Sequence, residues 1–300
     1  MGKSRLAVAI AADLDAEIVS VDSMQVYRGM DIATAKPGIA LRESVPHHML
    51  DICDVSHSYS VAEYQKQARE VIDSIHAGGK FPLLVGGSGL YFEAVVFDIH
   101  YPPASQDDNL RQDLERWSRE DPEGMRKRLA EVDPYFTSRE DFANIRRVIR
   151  ALEVYERSGR PISHFQKKRG HLDLYYQYIG VVLNAPRPYL NQVIDGRVDE
   201  MLAAGLIDEI KGLADAGHIS KTARQALGCK EVLQFLDREK SLEETISDIK
   251  KRSRQYAKRQ LTWLRRIPGL HWFELQPGEL GCETEETALR IQNYLEEELG

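Results

Sequence analysis

Hydrophobic positions in the first half of the chain follow two alternating patterns. Residues 17–21 and 82–85 are short, largely apolar runs that predict buried strands, and a third such run lies at residues 176–183. Between the first two runs, apolar residues recur every three or four positions from 60 to 77, which predicts an amphipathic helix. Strands that alternate with helices in this way predict an α/β fold built on a parallel sheet.

A long segment with no convincing strand pattern separates the second and third runs. Its periodicity predicts three helices, at residues 109–119, 122–132 and 142–158. After the third run, further helices are predicted at 189–203, 207–216 and 242–264, followed by a short strand around Trp272 and a terminal helix. We therefore expect three parts: the first part of the core at 1–104, a helical insertion at 105–171, and the second part of the core with C-terminal helices at 172–300.

The composition is that of an ordinary soluble globular protein, with 42% hydrophobic and 29% charged residues in a chain of 300. No apolar run approaches the roughly 20 residues of a membrane-spanning helix, and the N-terminus has no signal-peptide pattern. The three cysteines, Cys53, Cys229 and Cys282, lack the spacing of a zinc site or of a disulfide framework. These features predict a cytoplasmic protein with no membrane partner.

Positive charge is concentrated in two segments although the net charge is −7. Residues 250–266 are rich in Lys and Arg, contain no acidic residue, and include Tyr256 and Trp263; a second basic segment spans residues 139–169. A solvated helix face would explain either segment alone, but the two together favour a polyanionic partner. The residues best suited to contact an RNA backbone and its bases are Lys258, Arg259 and Gln260.

The first residues of the chain match the end of a phosphate-binding loop. Gly2, Lys3 and Ser4 are the last three residues of the pattern G-x-x-x-x-G-K-S/T, and a helical run follows them at once. In such a loop, backbone N–H groups and a helix N-terminus bind a di- or triphosphate, the Lys neutralises it, and the hydroxyl reaches Mg²⁺. The strand and first glycine of the pattern do not precede Met1, so we expect a core whose N-terminal strand and P-loop start are missing, with weakened diphosphate binding.

Two further segments lie where the predicted strands end. Asp22 follows the first strand, and the sequence Gly-Gly-Ser-Gly at residues 86–89 follows the second. Because ligands of open α/β sheets bind at the carboxyl edge, both segments are candidates for one site. Asp22 suits either a carboxylate that assists Mg²⁺ binding or a general base, and position alone leaves both open. Ser88 is either a helix N-cap or a ligand contact, and the neighbouring phosphate loop favours the contact.

Three arginines of the predicted insertion crowd one helix face. Arg146, Arg147 and Arg150 are spaced three and four positions apart. Like charges at this spacing are unfavourable unless an anion lies among them, so the arrangement predicts contacts with phosphates. An acidic neighbour such as Glu153 is the alternative.

Together these motifs resemble the tRNA dimethylallyltransferase family, also called tRNA isopentenyltransferases. The matching stretches cover nearly the whole chain and lie at residues 2–4, 18–37, 46–51, 83–92, 146–153 and 257–265. The resemblance implies a P-loop NTPase-like parallel sheet core with a mainly helical insertion that binds tRNA. Cys229 stands where the family pattern has Tyr, and Ser88 replaces the commoner Thr while keeping the hydroxyl.

The resemblance also implies a reaction. Dimethylallyl diphosphate, bound with Mg²⁺, would give its prenyl group to the exocyclic amine of the adenosine 3′ to the anticodon of tRNA, and diphosphate would leave. The implied catalytic residues are Asp22, as general base, and Ser88. The implied diphosphate ligands are Gly2, Lys3 and Ser4, of which Ser4 also binds the metal. The implied contacts with the tRNA anticodon stem-loop are Asp22, Ser23, Met24, Gln25, Ser88, Arg111, Arg146, Arg147, Val148, Ile149 and Arg150. We expect the enzyme to be a monomer.

Three other functions account for part of these features. A P-loop kinase of small molecules would use the phosphate loop and Asp22, but it leaves the two basic segments unexplained. A prenyltransferase that acts on free adenine nucleotides leaves the helical insertion without a role. A catalytically impaired tRNA-binding remnant would follow from the incomplete loop, and it would bind tRNA without forming a product.

Overall fold

The computed structural model describes residues 3–102, 108–137, 140–165, 173–277 and 285–299. The chain forms two compact units. The first consists of Met1–Tyr59, Lys66–Phe92 and Tyr178–Gly300, and the second consists of Ser60–Gln65 and Glu93–Gln177. The helices predicted for the insertion at 105–171 fall within the second unit, which begins earlier along the chain than that prediction places it.

Three parallel strands form the sheet that carries the candidate site in the first unit. They are β1 (Ala16–Val21), β2 (His47–His48) and β3 (Phe81–Gly86), in the order β2-β1-β3. β1 and β3 are in register from their first residues to Val21 opposite Gly86, so both end at one edge. The predicted α/β class and the strands predicted at 17–21 and 82–85 are confirmed. No pattern predicts β2, because two residues are too few to show a strand period.

A second pair of parallel strands also belongs to the first unit. In it, β4 (Gly180–Asn184) and β5 (Leu270–Glu274) pair with Gly180 opposite Leu270. The strand predicted at 176–183 therefore begins later, because the ladder starts only where β5 supplies a partner. The short strand predicted around Trp272 is confirmed.

Helices make up most of both units. In chain order they are α1 (Lys3–Asp13), α2 (Ile39–Ser44), α3 (Val61–Ala77), α4 (Gly89–Val96), α5 (Asp108–Glu120), α6 (Pro122–Val132), α7 (Pro134–Thr137), α8 (Ile145–Ser158), α9 (Ile162–Phe165), α10 (Arg187–Ala203), α11 (Leu206–Ala216), α12 (Cys229–Leu236), α13 (Leu242–Leu264) and α14 (Glu285–Leu299). α13 begins where its periodicity predicts, because Ser241 and Glu244 form a reciprocal capping box there. Among the residues that the structure describes, no helix combines the length and the apolar character needed to cross a bilayer.

The core of the second unit is built on α8. The helix predicted at 142–158 starts only at Ile145, because a 3₁₀ turn precedes it and the Asn144 side chain caps it. Val148 and Ile149 are buried in the core of this unit, against apolar side chains of α5 and α6. Their side chains therefore stabilise the fold, so a contact between this stretch and RNA would have to come from its backbone or its exposed arginines.

Candidate active site

The ends of β1 and β3 hold the candidate site together. The N–H groups of Gly87 and Ser88 both donate to the Val21 carbonyl oxygen, each over 3.1 Å. The Ser23 N–H donates to Ser88 Oγ over 3.0 Å, and the Ser88 hydroxyl lies 3.3 Å from Ser23 Oγ. The two segments that the sequence predicts at this edge are thus brought together, with Asp22 between Val21 and Ser23.

Three glycines allow the turn after β3 to approach its neighbours closely. A Cβ at Gly86 would collide with the Val21 backbone, one at Gly87 with the Gln260 amide, and one at Gly89 with the Trp263 ring. The first collision is with backbone and cannot be relieved by a rotamer change. The Gly-Gly-Ser-Gly sequence is therefore required by contact with β1 on one side and α13 on the other.

Lys3 points its ammonium at the same turn. Its Nζ donates to the Gly86 carbonyl oxygen over 2.9 Å. Removal from water lowers the pKa of Lys3, whereas the negative charge of Asp22 raises it and the positive charge of Arg197 lowers it further. Ser4 follows at the start of α1 and is partly exposed. Gly2, the other predicted diphosphate ligand, lies outside the described residues.

Asp22 is held by a backbone N–H group. Its Oδ1 accepts from the Met24 N–H over 2.9 Å. Burial raises the pKa of Asp22, and the neighbouring backbone N–H groups together with the charges of Lys3 and Arg197 partly offset that rise. A carboxylate whose pKa is raised binds a proton more readily, which suits a general base.

Arg197 is a candidate site residue that no pattern in the sequence predicts. It lies on α10, and its charge acts on both Asp22 and Lys3. Burial lowers the pKa of its guanidinium, and the charges of Asp22 and Glu200 counteract this effect. The site therefore has two cations around one carboxylate, an excess of positive charge suited to an anionic ligand. No motif marks Arg197, because it is one cation among many polar residues of α10.

The predicted tRNA contact Gln25 uses both ends of its amide within the protein. Its Oε1 accepts from the Ser20 hydroxyl over 3.0 Å, and its Nε2 donates to the Thr34 carbonyl oxygen over 3.2 Å. The loop that carries Thr34 is itself fixed by Glu209, whose carboxylate accepts three successive N–H groups at 2.7–2.9 Å from Asp31, Ile32 and Ala33. These contacts hold the segment after Asp22 rigidly.

One face of α13 borders the turn. Gln260 Nε2 donates to the Gly87 carbonyl oxygen over 2.9 Å. Burial raises the pKa of Tyr256, and the nearby charge of Asp22 raises it further. A surface cleft of about 440 Å³ continues along this face and is lined by Gln255, Lys258, Arg259, Thr262, Trp263 and Arg266.

The basic segment of α13 divides into two parts. Lys250, Arg252 and Arg254 form ion pairs with Asp199, Glu231 and Asp195 respectively. These three cations are neutralised within the protein, so the polyanion partner predicted from the whole segment is not needed to explain them. Lys258 and Arg259, further along the helix, are exposed.

The arginines of the second unit are arranged around a buried carboxylate. Glu153 is 1% exposed, and its Oε2 lies 2.8 Å from Arg150 and 3.3 Å from Arg111. The alternative that an acidic neighbour satisfies these arginines therefore holds for Arg150, and it extends to Arg111. Arg146 and Arg147, in the first turn of α8, are exposed.

Comparison with known proteins gives one consistent result. The family model described as IPP transferase matches residues 25–267. A tRNA dimethylallyltransferase of Geobacillus kaustophilus is 42% identical over 298 residues, which are 99% of this chain and 94% of that protein.

Two solved structures are similar as well. The full-length tRNA isopentenylpyrophosphate transferase of Bacillus halodurans has a TM-score of 0.71 and 38% identity, over 99% of this chain and 93% of its own. A eukaryotic dimethylallyltransferase captured acting on tRNA has a TM-score of 0.79 and 29% identity, over 97% of this chain and 74% of its own. This similarity supports the P-loop NTPase-like class predicted for the core.

Proposed function

Because this chain belongs to the IPP transferase family, we propose that it transfers a dimethylallyl group from dimethylallyl diphosphate to tRNA. The acceptor is the exocyclic amine of the adenosine 3′ to the anticodon, and diphosphate is released. The observation that carries the proposal is the Asp22 carboxylate, which lies beside the Ser88 turn and is affected by the charges of Lys3 and Arg197. A small-molecule kinase would not need the cationic face of α13.

The diphosphate would lie at the N-terminus of α1, among Gly2, Lys3 and Ser4. Arg197 adds a second positive charge that acts on Asp22. Together, Lys3 and Arg197 would stabilise the negative charge that develops on the leaving diphosphate as the carbon–oxygen bond breaks. This assignment explains why the two cations are close to each other despite their mutual repulsion.

Mg²⁺ would fit the oxygen groups at this edge. Mg²⁺ is commonly bound by one or two protein oxygens together with substrate phosphates. The Ser4 hydroxyl, with the oxygens of the diphosphate, would hold it. Within the described residues no cluster of three His, Cys, Asp or Glu side chains provides an all-protein metal site, which agrees with an ion that arrives with its substrate. Its contribution would be to neutralise the leaving group.

Asp22 would act as the general base. The adenosine amine is a poor nucleophile, because its lone pair is delocalised into the ring. As its nitrogen bonds to the prenyl carbon, the carbon–oxygen bond to diphosphate breaks and one amine proton moves to Asp22. Ser88, held against Ser23, would contact the reacting groups and help to orient them.

The tRNA would contact exposed cations in each unit. Lys258 and Arg259 on α13 and Arg146 and Arg147 on α8 are suited to phosphates. The target adenosine would be flipped out of its stack to reach Asp22, at a cost of about a few kcal/mol. We expect a cytoplasmic monomer.

A transfer assay tests this function. Labelled dimethylallyl diphosphate and Mg²⁺ are incubated with the chain and an anticodon stem-loop that carries adenosine next to the anticodon. The matched control stem-loop has guanosine at that position. Label should enter only the adenosine substrate. Binding of both RNAs without any label transfer would instead support the non-catalytic remnant, and ATP consumption with a small acceptor would support a kinase.

A further inference from the structure

A single carboxylate on α11 holds the segment that lies beyond the candidate site. Glu209 Oε2 accepts the N–H groups of Asp31 and Ile32 over 2.8 and 2.7 Å, and its Oε1 accepts the Ala33 N–H over 2.9 Å. Successive N–H groups that converge in this way form a concave site for an anion. In this chain the side chain of a distant helix occupies that site, and its charge strengthens each of the hydrogen bonds.

The same face of α11 packs against the start of this segment. Leu213 lies four residues after Glu209, so the two side chains project from one face of the helix. An added Cβ at Gly29, whose φ is +74°, would lie 3.2 Å from Leu213 Cδ2. The segment is therefore held by a close apolar contact at Gly29 and by the carboxylate a few residues later.

Lys36 fixes the other end of the segment. Its N–H donates to the Asp31 carbonyl oxygen over 3.0 Å. Its side chain is fully buried, and the Nζ donates to Asp31 Oδ1 over 2.8 Å and to Asp51 Oδ1 over 2.5 Å. These contacts oppose movement of the Thr34 carbonyl, because Thr34 lies between the two anchored ends.

The Thr34 carbonyl in turn holds the amide of Gln25. Gln25 Nε2 donates to that oxygen over 3.2 Å, and Gln25 Oε1 accepts from the Ser20 hydroxyl over 3.0 Å. An amide has donors at one end and an acceptor at the other, so the two contacts fix which way it faces. The first contact depends on the segment that Glu209 holds, and the second comes from β1, just before Asp22.

We propose that Glu209 is a positioning residue, which holds residues 31–34 so that the Thr34 carbonyl orients the Gln25 amide for contact with the tRNA substrate. The proposal rests on the proposed function, because it takes Gln25 as a tRNA contact. Glu209 acts through the backbone of the segment. Its loss should therefore weaken use of the RNA and leave use of dimethylallyl diphosphate unchanged, whereas a general loss of folding would affect both.

The first test measures the segment directly and needs no activity. Glu209→Gln keeps the length of the side chain, removes its charge and places an NH₂ group among three N–H donors. Asp208→Asn is the matched control, because it removes an exposed carboxylate from the same first turn of α11. We expect amide hydrogen exchange at residues 31–33 to be about threefold or more faster in Glu209→Gln than in Asp208→Asn. Equal exchange in the two variants would overturn the proposal.

The second test asks whether this anchor matters to the RNA. In Glu209→Gln, kcat/KM for the anticodon stem-loop should fall about fivefold or more, the equivalent of one hydrogen bond, with the KM for dimethylallyl diphosphate unchanged. In a Gln25→Ala background the same substitution should lower kcat/KM less than about twofold, because the side chain that it orients is gone. An undiminished loss in that background would overturn the proposal, as would an equal rise in the KM for both substrates.

Stem-loop binding separates this proposal from the proposed function. A chain that binds the stem-loop but transfers no label would refute the proposed function. The role of Glu209 would then be supported by weaker stem-loop binding in Glu209→Gln than in Asp208→Asn, and equal binding by the two variants would overturn it.

Discussion

Two carboxylates, one in each unit, lie among cations, and they differ in how those cations contact them. Glu153 is 1% exposed and forms ion pairs with Arg111 and Arg150 at 3.3 and 2.8 Å. Asp22 accepts the Met24 N–H, and Lys3 donates to the Gly86 carbonyl instead. The cations around Glu153 are already satisfied, whereas those near Asp22 keep charge available for a ligand. The same residue types therefore give a structural cluster in one unit and a candidate active site in the other.

The strongest way to test this comparison is to neutralise Asp22. Asp22→Asn keeps the shape and can still accept the Met24 N–H, but it cannot take the amine proton. We expect kcat to fall about 10²- to 10⁴-fold, the usual contribution of a general base. Binding of the stem-loop should persist.

Asp54→Asn is the matched control for that variant. Asp54 likewise accepts an N–H two residues ahead, from Ser56 over 2.9 Å, but outside the site. Its kcat should equal that of the unaltered chain. An Asp22→Asn enzyme that turns over as fast as Asp54→Asn would remove Asp22 from the role of base.

The second prediction concerns the positive charge of Arg197, which we expect to be available to an anionic ligand. Arg197→Met should lower kcat/KM for dimethylallyl diphosphate about ten- to a hundredfold, because one charge-assisted contact to an anion is lost. Arg254→Met is its control, since Arg254 is paired with Asp195 between α10 and α13. That variant should lose some thermal stability and keep its kcat/KM. A similar loss of kcat/KM in both variants would mean that helix packing, rather than charge, explains the effect.

The sequence predicts the part of the site that lies at strand ends and misses the part supplied by distant helices. Asp22 and Ser88 follow apolar runs, and parallel strands in register bring their ends together. Arg197 and Tyr256 reach the same place only because α10 and α13 pack there, and helical periodicity does not state which neighbour a face will meet. The helix pattern of residues 242–264 predicts the bounds of α13 but not which of its cations are internally paired.

The same limit applies in the second unit. The spacing of Arg146, Arg147 and Arg150 predicts a shared face, but the depth of Glu153 in the core is a property of tertiary packing. Whether these arginines contact tRNA stays a prediction, as does the proposed set of site residues.

The third prediction tests the ion-paired cluster around Glu153. Glu153→Gln removes the charge that Arg111 and Arg150 share, and it should lower the free energy of unfolding by about 1–2 kcal/mol. The control is Glu131→Gln, which breaks an exposed pair with Arg128 and should change stability by less than about 1 kcal/mol. Denaturant unfolding of both variants gives the two values. Equal small effects would mean that Glu153 contributes no more than a surface pair and that its arginines are as available as those near Asp22.

The smallest expected effect is a shift in the pH dependence of kcat. It is also the effect most specific to the cluster around Asp22. Burial raises the pKa of Asp22 above its ordinary 3.8, and the positive charge of Arg197 limits that rise. A base must be ionised, so kcat should fall as pH falls through this raised pKa. The sign for stability is opposite: protonation favours the folded state in the same window, and that contribution is lost as pH rises through it.

In Arg197→Met the acid limb of kcat should move to higher pH, because a charge that lowers the pKa of Asp22 is gone, whereas Arg254→Met should leave it in place. An acid limb that does not move in Arg197→Met would show that the two side chains are not coupled, and it would remove the distinction drawn between the Asp22 and Glu153 clusters.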